Sequence, residues 1–174
     1  MIINIKNLFK LLLFSIVLII FGCSYSFYSR SNPHLKTVMI SEFENESEQY
    51  ELPQKVETYL IEKIESDNQL KMMAGEADMK ISGIILSYDK QVLAYDKSEN
   101  PLEWQTTIRF SVEVKDLVKS KTIWTNKNLS LSAVYREDET DEESDLENSS
   151  EEDAWKSIIF DLGEIILANS VEQW

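Results

Sequence analysis

The sequence predicts an α+β fold, a two-layer sandwich in which a mainly antiparallel sheet of about four strands carries two helices on one face. Residues 104–115 alternate between apolar and polar side chains, which is typical of a strand with one buried face. Two other segments repeat apolar residues at spacings of three and four, as one-sided helices do. With 174 residues the chain is long enough for one ordinary core. We therefore predict a single domain over residues 35–174.

The segment before this domain has the order of an export signal. Its first ten residues contain two lysines and no acid, and residues 11–21 are apolar except for one serine. This run is shorter than the roughly 20 apolar residues that a membrane-spanning helix needs. Ile20–Cys23 resembles a bacterial lipobox, in which the cysteine is lipidated and becomes the first residue. We predict a cleaved signal peptide over residues 1–22 and a lipid on Cys23, the only cysteine; a buried free thiol is the alternative.

A short tether follows the predicted lipid. We assign residues 23–34 to the lipidated N-terminus and tether, and the eleven residues from Ser24 to His34 can extend at most about 36 Å. The domain must therefore stay close to the membrane. Because Ser24, and not an aspartate, follows the cysteine, resemblance to the bacterial sorting rule favours the outer membrane.

The first half of the domain predicts one helix between strands. Residues 37–43 are typical of a strand, and the polar residues 44–47 of a loop. A helix is expected to begin at Pro53 and to end near Asp67-Asn68, with its apolar stripe at Val56, Tyr59, Leu60 and Ile64. A short strand at 70–73 and a longer one at 79–88 complete this half, which leaves residues 88–100 as a loop.

The second half predicts a long antiparallel hairpin and a final helix. After the alternating strand and a polar turn around residues 119–121, residues 122–135 form a second run, with Ile123, Leu129, Leu131, Ala133 and Tyr135 on one parity. A helical stripe then extends from Trp155 to Ile166. Ser149 and Glu152 have the spacing of a capping box at the start of this helix.

Composition excludes several functional classes. The chain has 31 acidic and 17 basic residues and a net charge of -14, which argues against binding to a nucleic-acid backbone. One cysteine, one histidine and four glycines leave no cysteine-rich zinc site and no glycine-rich phosphate loop. We therefore expect no metal, no nucleic-acid partner and no cofactor apart from the covalent lipid.

Much of the negative charge is local. Residues 137–153 contain eleven acids and no base, which predicts a solvated acidic loop. Loose binding of divalent cations is the functional alternative. The segment has no glycine-centred calcium-binding loop, so it does not specify a calcium site.

The order of motifs after the lipobox resembles the lipopolysaccharide-assembly lipoproteins of the LptE family. The resemblance rests on an aromatic-rich start at Cys23–Phe27, the strand and loop at 35–45, a strand entered through Ala77-Asp78, a long hairpin opened by Glu103-Trp104-Gln105, and the amphipathic C-terminal helix. It implies a non-enzymatic outer-membrane lipoprotein that partners the β-barrel LptD as a plug. It also implies roles in assembling that barrel and in delivering lipopolysaccharide to the outer leaflet.

The resemblance also suggests contacts with the anionic glycolipid. In the family, basic side chains near the loop between the second and third long strands are associated with it, and the corresponding segment here offers Lys90 and Lys97. Arg109, on the polar face of the hairpin, could serve similarly. Both lysines could instead be ordinary solvated side chains, and Arg109 could pair with an acid on a neighbouring strand. The acidic loop would repel a phosphorylated lipid unless divalent cations bridge the two or the loop points away.

Tryptophans are the candidates for a protein interface, where this residue is enriched. Trp104 and Trp155 lie on predicted buried faces, so core packing explains them. Trp124 has the opposite parity from Ile123 and Leu129, which makes it the candidate for contact with a partner. The pattern does not decide the role of Trp174.

Two other functions remain open from the residues alone. A lipoprotein that regulates a peptidoglycan synthase would also begin with a strand ending near Phe-x-Asn, as at Phe43–Asn45, but such proteins tend to have a longer tether. A hydrolase using paired carboxylates could employ Glu42 and Glu44, which share a strand face. Because no nucleophile or metal motif accompanies this pair, we predict that the protein is not an enzyme.

Overall fold

The structure is a computed structural model that describes residues 32–136 and 149–171. Its elements, in chain order, are β1 (Thr37–Ile40), β2 (Glu44–Asn45), α1 (Leu52–Asp67), β3 (Lys71–Met72), β4 (Met79–Tyr95), β5 (Pro101–Asp116), β6 (Lys121–Tyr135) and α2 (Glu151–Ser170). The α+β sandwich is confirmed. The predicted signal peptide, Cys23, most of the predicted tether and Trp174 lie outside the described residues.

The sheet is larger than predicted and partly parallel. Its strand order is β3-β1-β4-β5-β6, and β2 also pairs with β4, which gives six strands where about four were expected. The long strands β4, β5 and β6 are antiparallel, whereas β1 runs parallel to β3 and β4. The strand that the sequence did not predict is β2, which has two residues, too few for an alternating pattern, and occupies part of the predicted loop at 44–47. The short strand predicted at 70–73 is present as β3.

Both helices form as the sequence indicates, with local signals at their ends. Pro53 occupies the first turn of α1, and Asn68 ends the helix in a left-handed conformation, φ 56°. At the start of α2 the N-cap is Ser150, whose hydroxyl accepts a hydrogen bond from the amide of Asp153 at 3.1 Å. The cap therefore lies one residue later than the predicted Ser149–Glu152 box.

This helix start corrects the extent of the acidic loop. The prediction assigned residues 137–153 to a solvated loop, but α2 begins at Glu151, so three of the eleven acids belong to its first turn. Carboxylates are favourable there because they face the positive end of the helix dipole. The remaining acids, at 137–148, lie outside the described residues.

One apolar core holds the two helices to the sheet. Leu60 and Ile64 of α1, Ile158 and Leu162 of α2, and Ile81 on β4 are among its fully buried members. Ion pairs join Lys55 to Glu152 near the starts of the two helices and Lys63 to Glu164, at 3.7 Å, further along. These pairs show that the two helices run parallel to each other.

The hairpin of β4 and β5 extends beyond this core. The sequence placed a loop over residues 88–100, but β4 continues to Tyr95 and only residues 96–100 form the turn. Strand β6 stops where Tyr135 pairs with Trp104, so the last part of the hairpin is two-stranded. We call residues 91–103 the hairpin tip.

A break in register reverses the expected orientation of Trp124. Leu129 pairs with Phe110, but the next pairs are Asn126 with Val112 and Trp124 with Val114. The extra residue is a β-bulge, which shifts side-chain parity by one. Trp124 therefore shares the core-facing side of Val114 and is partly buried against the core, and its contact with a partner stays a prediction.

The tether enters the domain at the end opposite the hairpin tip. Asn32 donates a side-chain hydrogen bond to the carbonyl of Ser170, the last residue of α2, at 2.9 Å. His34 Nε2 lies 2.6 Å from Asp116 Oδ2, where β5 ends. Because β4 has 17 residues at about 3.3 Å each, the two ends of the sheet are about 55 Å apart.

Candidate functional site

Lys90 lies at the centre of a polar cluster between the hairpin and α2. It projects from the helix-facing side of β4, where it pairs with the buried Thr106. Its ammonium is 2.8 Å from Glu151 Oε2 and lies over the rings of Trp104 and Tyr135, 4.5 and 5.2 Å from their centroids. The two rings and the carboxylate together surround the cation, an arrangement that favours its charged form.

Glu151 accepts three side-chain hydrogen bonds in this cluster. Besides Lys90, the hydroxyls of Tyr88 and Tyr135 donate to it, the latter at 3.4 Å. Tyr88 in turn packs edge-on against Trp155 of α2, with ring centroids 6.0 Å apart. The first turn of α2 is thereby fixed to two strands of the sheet.

The electrostatics keep the pair ionised. Burial alone would raise the pKa of Glu151, but the hydrogen bonds from Lys90 and Tyr88 outweigh it and lower the pKa. Burial alone would likewise lower the pKa of Lys90, whereas the bonds with Glu151 and Tyr135 raise it. Burial, with the neighbouring carboxylate, raises the pKa of Tyr88 to about 12. Near neutral pH the cluster therefore holds the Lys90 ammonium, the Glu151 carboxylate and the neutral phenol of Tyr88.

Arg109 lies on the other side of the sheet, which no described helix covers. It is exposed on β5 between Ser87 of β4 and Ser130 of β6. Within the described residues it makes no ion pair, so the cross-strand acid that the sequence left open is not present. The surrounding side chains are polar, and we call this surface the open face; besides these three residues it includes Asp89, Gln91, Gln105, Thr107 and Ser132.

Lys97 lies in the turn of the hairpin tip. Asp96 organises this turn by accepting hydrogen bonds from the amides of Ser98 and Asn100, at 2.7 and 2.8 Å. Lys97 itself is exposed. Two apolar side chains of the tip are also exposed, Leu93 by 47% and Tyr95 by 62%.

The three basic candidates therefore do not converge on one site. Lys90 faces the helices, Arg109 lies on the open face, and Lys97 is at the hairpin tip. The sequence indicated neither this separation nor the role of Glu151, whose position in an acidic run made it look solvated. For Tyr135 the sequence predicted only that the side chain lies on the apolar face of its strand.

The described residues contain no group of three or more histidine, cysteine, aspartate or glutamate side chains placed to hold a metal ion. Glu42 and Glu44 are both exposed; Glu44 is the first residue of β2, and Glu42 precedes that strand. None of the helices in the described ranges is long and apolar enough to cross a membrane.

Comparison with solved structures shows a shared fold at low sequence identity. The hypothetical protein CT253 from Chlamydia trachomatis is 10% identical with a TM-score of 0.52, covering 78% of this chain and 98% of that one. The PelC dodecamer from Paraburkholderia phytofirmans is 10% identical with a TM-score of 0.51, covering 79% and 89%. A search of curated proteins finds no significant match.

The family comparison covers nearly the whole domain. The model described as lipopolysaccharide-assembly, LptE, matches residues 35–169, which include every strand described above, all of α1 and all of α2 except its last residue. This agrees with the order of motifs in the sequence. The chain therefore belongs to the LptE family and acts in lipopolysaccharide assembly.

Proposed function

We propose that this chain is an outer-membrane lipoprotein, anchored through lipid on Cys23, which fills the lumen of the LptD β-barrel and assists lipopolysaccharide transport to the outer leaflet. The observation that carries the proposal is the family match over residues 35–169. The open face supports it, because a polar sheet surface suits the polar interior of a membrane β-barrel. The short tether supports it as well, since it keeps the domain next to the membrane.

Affinity purification tests the partnership. The tagged, lipidated protein is isolated from detergent-solubilised outer membranes, and the co-purifying proteins are identified by mass spectrometry. We expect a large β-barrel in near-stoichiometric amount. Recovery of a peptidoglycan synthase in its place would favour the regulatory function, and recovery of neither would contradict the plug.

A charge reversal on the open face tests which surface meets the barrel. Arg109→Glu places a carboxylate in the middle of the open face and should lower recovery of the barrel at least severalfold. The control, Glu57→Arg, alters charge on an exposed position of α1, on the other layer of the sandwich. It should leave recovery unchanged. Equal recovery with both variants would exclude the open face as the contact surface.

Direct contact with lipopolysaccharide is assigned first to Lys97 and Arg109. Both are exposed, and a lysine or an arginine can pair with lipid phosphates. The ammonium of Lys90 already forms an ion pair with Glu151, so a lipid phosphate would have to displace that carboxylate. Binding of purified lipopolysaccharide should therefore weaken in Lys97→Ala and Arg109→Ala. If only Lys90→Ala weakened binding while folding stayed intact, the assignment would be wrong.

A further inference from the structure

The turn between β5 and β6 is an unusual part of the surface. Residues 117–120, which we call the basal turn, lie at the tethered end of the domain. Leu117 is 39% exposed and Val118 is 61% exposed, while Leu93 and Tyr95 of the hairpin tip are 47% and 62% exposed. Unlike the two tip residues, Leu117 and Val118 are adjacent in the chain and lie at the end of the domain where the tether enters.

Lysines surround these two apolar side chains. Lys119 and Lys121 are exposed, and neither forms an ion pair with a carboxylate in the described part of the chain. On the adjoining strands, Lys80 pairs directly with Lys115 in the β4–β5 register. This concentration of basic residues contrasts with the chain's net charge of -14.

Three carboxylates lie near the turn. Asp116 is buried, with 3% exposure, and contacts His34 and the amide of Lys119. Glu113 pairs with Lys115 at 2.8 Å, and Asp78 accepts hydrogen bonds from the amides of Lys36 and Thr37. Within the described residues none of the three forms an ion pair with Lys119 or Lys121, so these two lysines supply the basic charge of the turn. An exposed apolar pair within a basic rim is the composition of a surface that contacts anionic lipid headgroups.

The position of the tether supports the same conclusion. His34 contacts Asp116, the residue that precedes the basal turn, and His34 is only eleven positions after Cys23 in the chain. A fully extended chain of that length reaches about 36 Å. A lipid on Cys23 therefore restricts the basal turn to the neighbourhood of the bilayer, while the hairpin tip is about 55 Å away at the far end of the 17-residue β4.

We propose that the basal turn is a membrane-contact surface, which inserts Leu117 and Val118 among the headgroups of an anionic bilayer and holds the lipoprotein upright before it meets its barrel. The inference rests on the lipid anchor included in the proposed function. Each lysine near an anionic surface raises membrane partitioning about fivefold, and the two apolar side chains add insertion into the headgroup layer. The domain is then oriented with the hairpin tip directed away from the leaflet.

The sequence permits a single-site probe. Because Cys23 is the only cysteine and is used by the lipid, Val118→Cys introduces a unique thiol for an environment-sensitive fluorophore. The matched label is Ser98→Cys, in the exposed turn of the hairpin tip. Both lipidated proteins are reconstituted on vesicles containing phosphatidylglycerol, and quenching by lipid-borne nitroxides is measured. We expect quenching at least severalfold greater at position 118 than at 98.

Two further comparisons separate the anchor from the surface. Vesicles of phosphatidylcholine alone, or the variant Lys121→Glu, should reduce quenching at position 118 severalfold, whereas Lys127→Glu, an exposed change outside the turn, should not.

Protein that floats with the vesicles while both labels remain in water would overturn the basal-turn inference and leave the anchor intact. Protein that does not float would contradict both. Equal quenching on neutral and anionic vesicles would overturn the role of the lysines.

Discussion

Lys90 and Glu151 carry opposite charges at the junction between the hairpin and α2, and their side chains are only 27% and 28% exposed. The two residues are 61 positions apart in the sequence. A lysine in a predicted loop and a glutamate in an acidic run both look solvated when the chain is read alone. Their pairing depends on the register of β4 and on where α2 begins.

Removal of Glu151 should destabilise the domain. Glu151→Ala removes the carboxylate that accepts hydrogen bonds from Lys90, Tyr88 and Tyr135, so we expect the free energy of unfolding to fall by about 1–3 kcal/mol. Denaturation in urea measures this change. Glu164→Ala is the control, because its carboxylate is 75% exposed and pairs with Lys63 only at 3.7 Å. Equal loss in both variants would contradict a special role for Glu151.

The same pair predicts a pH dependence. Because folding lowers the pKa of Glu151 below its ordinary value of 4.5, the stabilisation from Glu151 is present above that pH and is lost as the pH falls through the folded pKa. Folding raises the pKa of Lys90, so that contribution is present below 10.5 and disappears only above the folded value. The stability difference between the native chain and Glu151→Gln should therefore persist at neutral pH and shrink under acid. A difference independent of pH would show that charge is not its cause.

At the scale of elements, Gly83 explains how β4 accommodates Phe43. A Cβ atom on Gly83 would lie 2.4 Å from Phe43 Cε1 and 2.7 Å from the carbonyl oxygen of Ser111. The second neighbour is backbone of β5 and cannot move without disturbing the sheet. The absence of a side chain therefore lets the aromatic ring pack directly on the strand.

Gly83→Ala should consequently lower the free energy of unfolding by about 1–3 kcal/mol, as overpacking of a core does. The comparison is Gly163→Ala in α2, where the close neighbours are side-chain atoms of α1, Lys63 Cγ at 2.6 Å and Leu60 Cδ1 at 3.3 Å, and none is backbone. That substitution should cost less, because side chains of a neighbouring helix adjust more readily than the backbone of a paired strand and alanine favours the helix. A larger loss for Gly163→Ala would contradict this account.

The β-bulge in β6 determines the role of Trp124. Since the bulge turns this residue toward the core, Trp124→Ala should reduce stability by about 2–4 kcal/mol, less than a fully buried tryptophan would lose. Thermal unfolding followed by circular dichroism measures the effect. An unchanged midpoint together with weaker binding of the barrel would restore Trp124 as an interface residue.

At the scale of the whole molecule, both helices and the central strands share one apolar core. The described domain should therefore unfold as one cooperative unit. Tryptophan fluorescence and far-ultraviolet circular dichroism should give coincident urea transitions, since Trp104 and Trp124 report on the sheet and Trp155 on α2. Transitions that separate would show that the hairpin or the helix pair unfolds independently.

The sequence by itself determined the α+β class, the two one-sided helices and the three long strands, because these depend on periodicities of 3.6 and 2 that a single segment displays. It also led to the family, through the order of motifs from Cys23 to the last helix. Whether Cys23 carries lipid stays a prediction, since it lies outside the described residues.

Only the tertiary structure decided the rest. The two-residue strand β2 is too short to have a pattern, the parallel pairing of β1 with β3 and β4 joins separate segments, and the bulge that reorients Trp124 is a property of pairing between two strands. The separation of Lys90, Lys97 and Arg109, and the union of Lys90 with Glu151 across 61 positions, likewise depend on contacts between distant segments. Such contacts are set by packing and register, which a local pattern of residues does not encode.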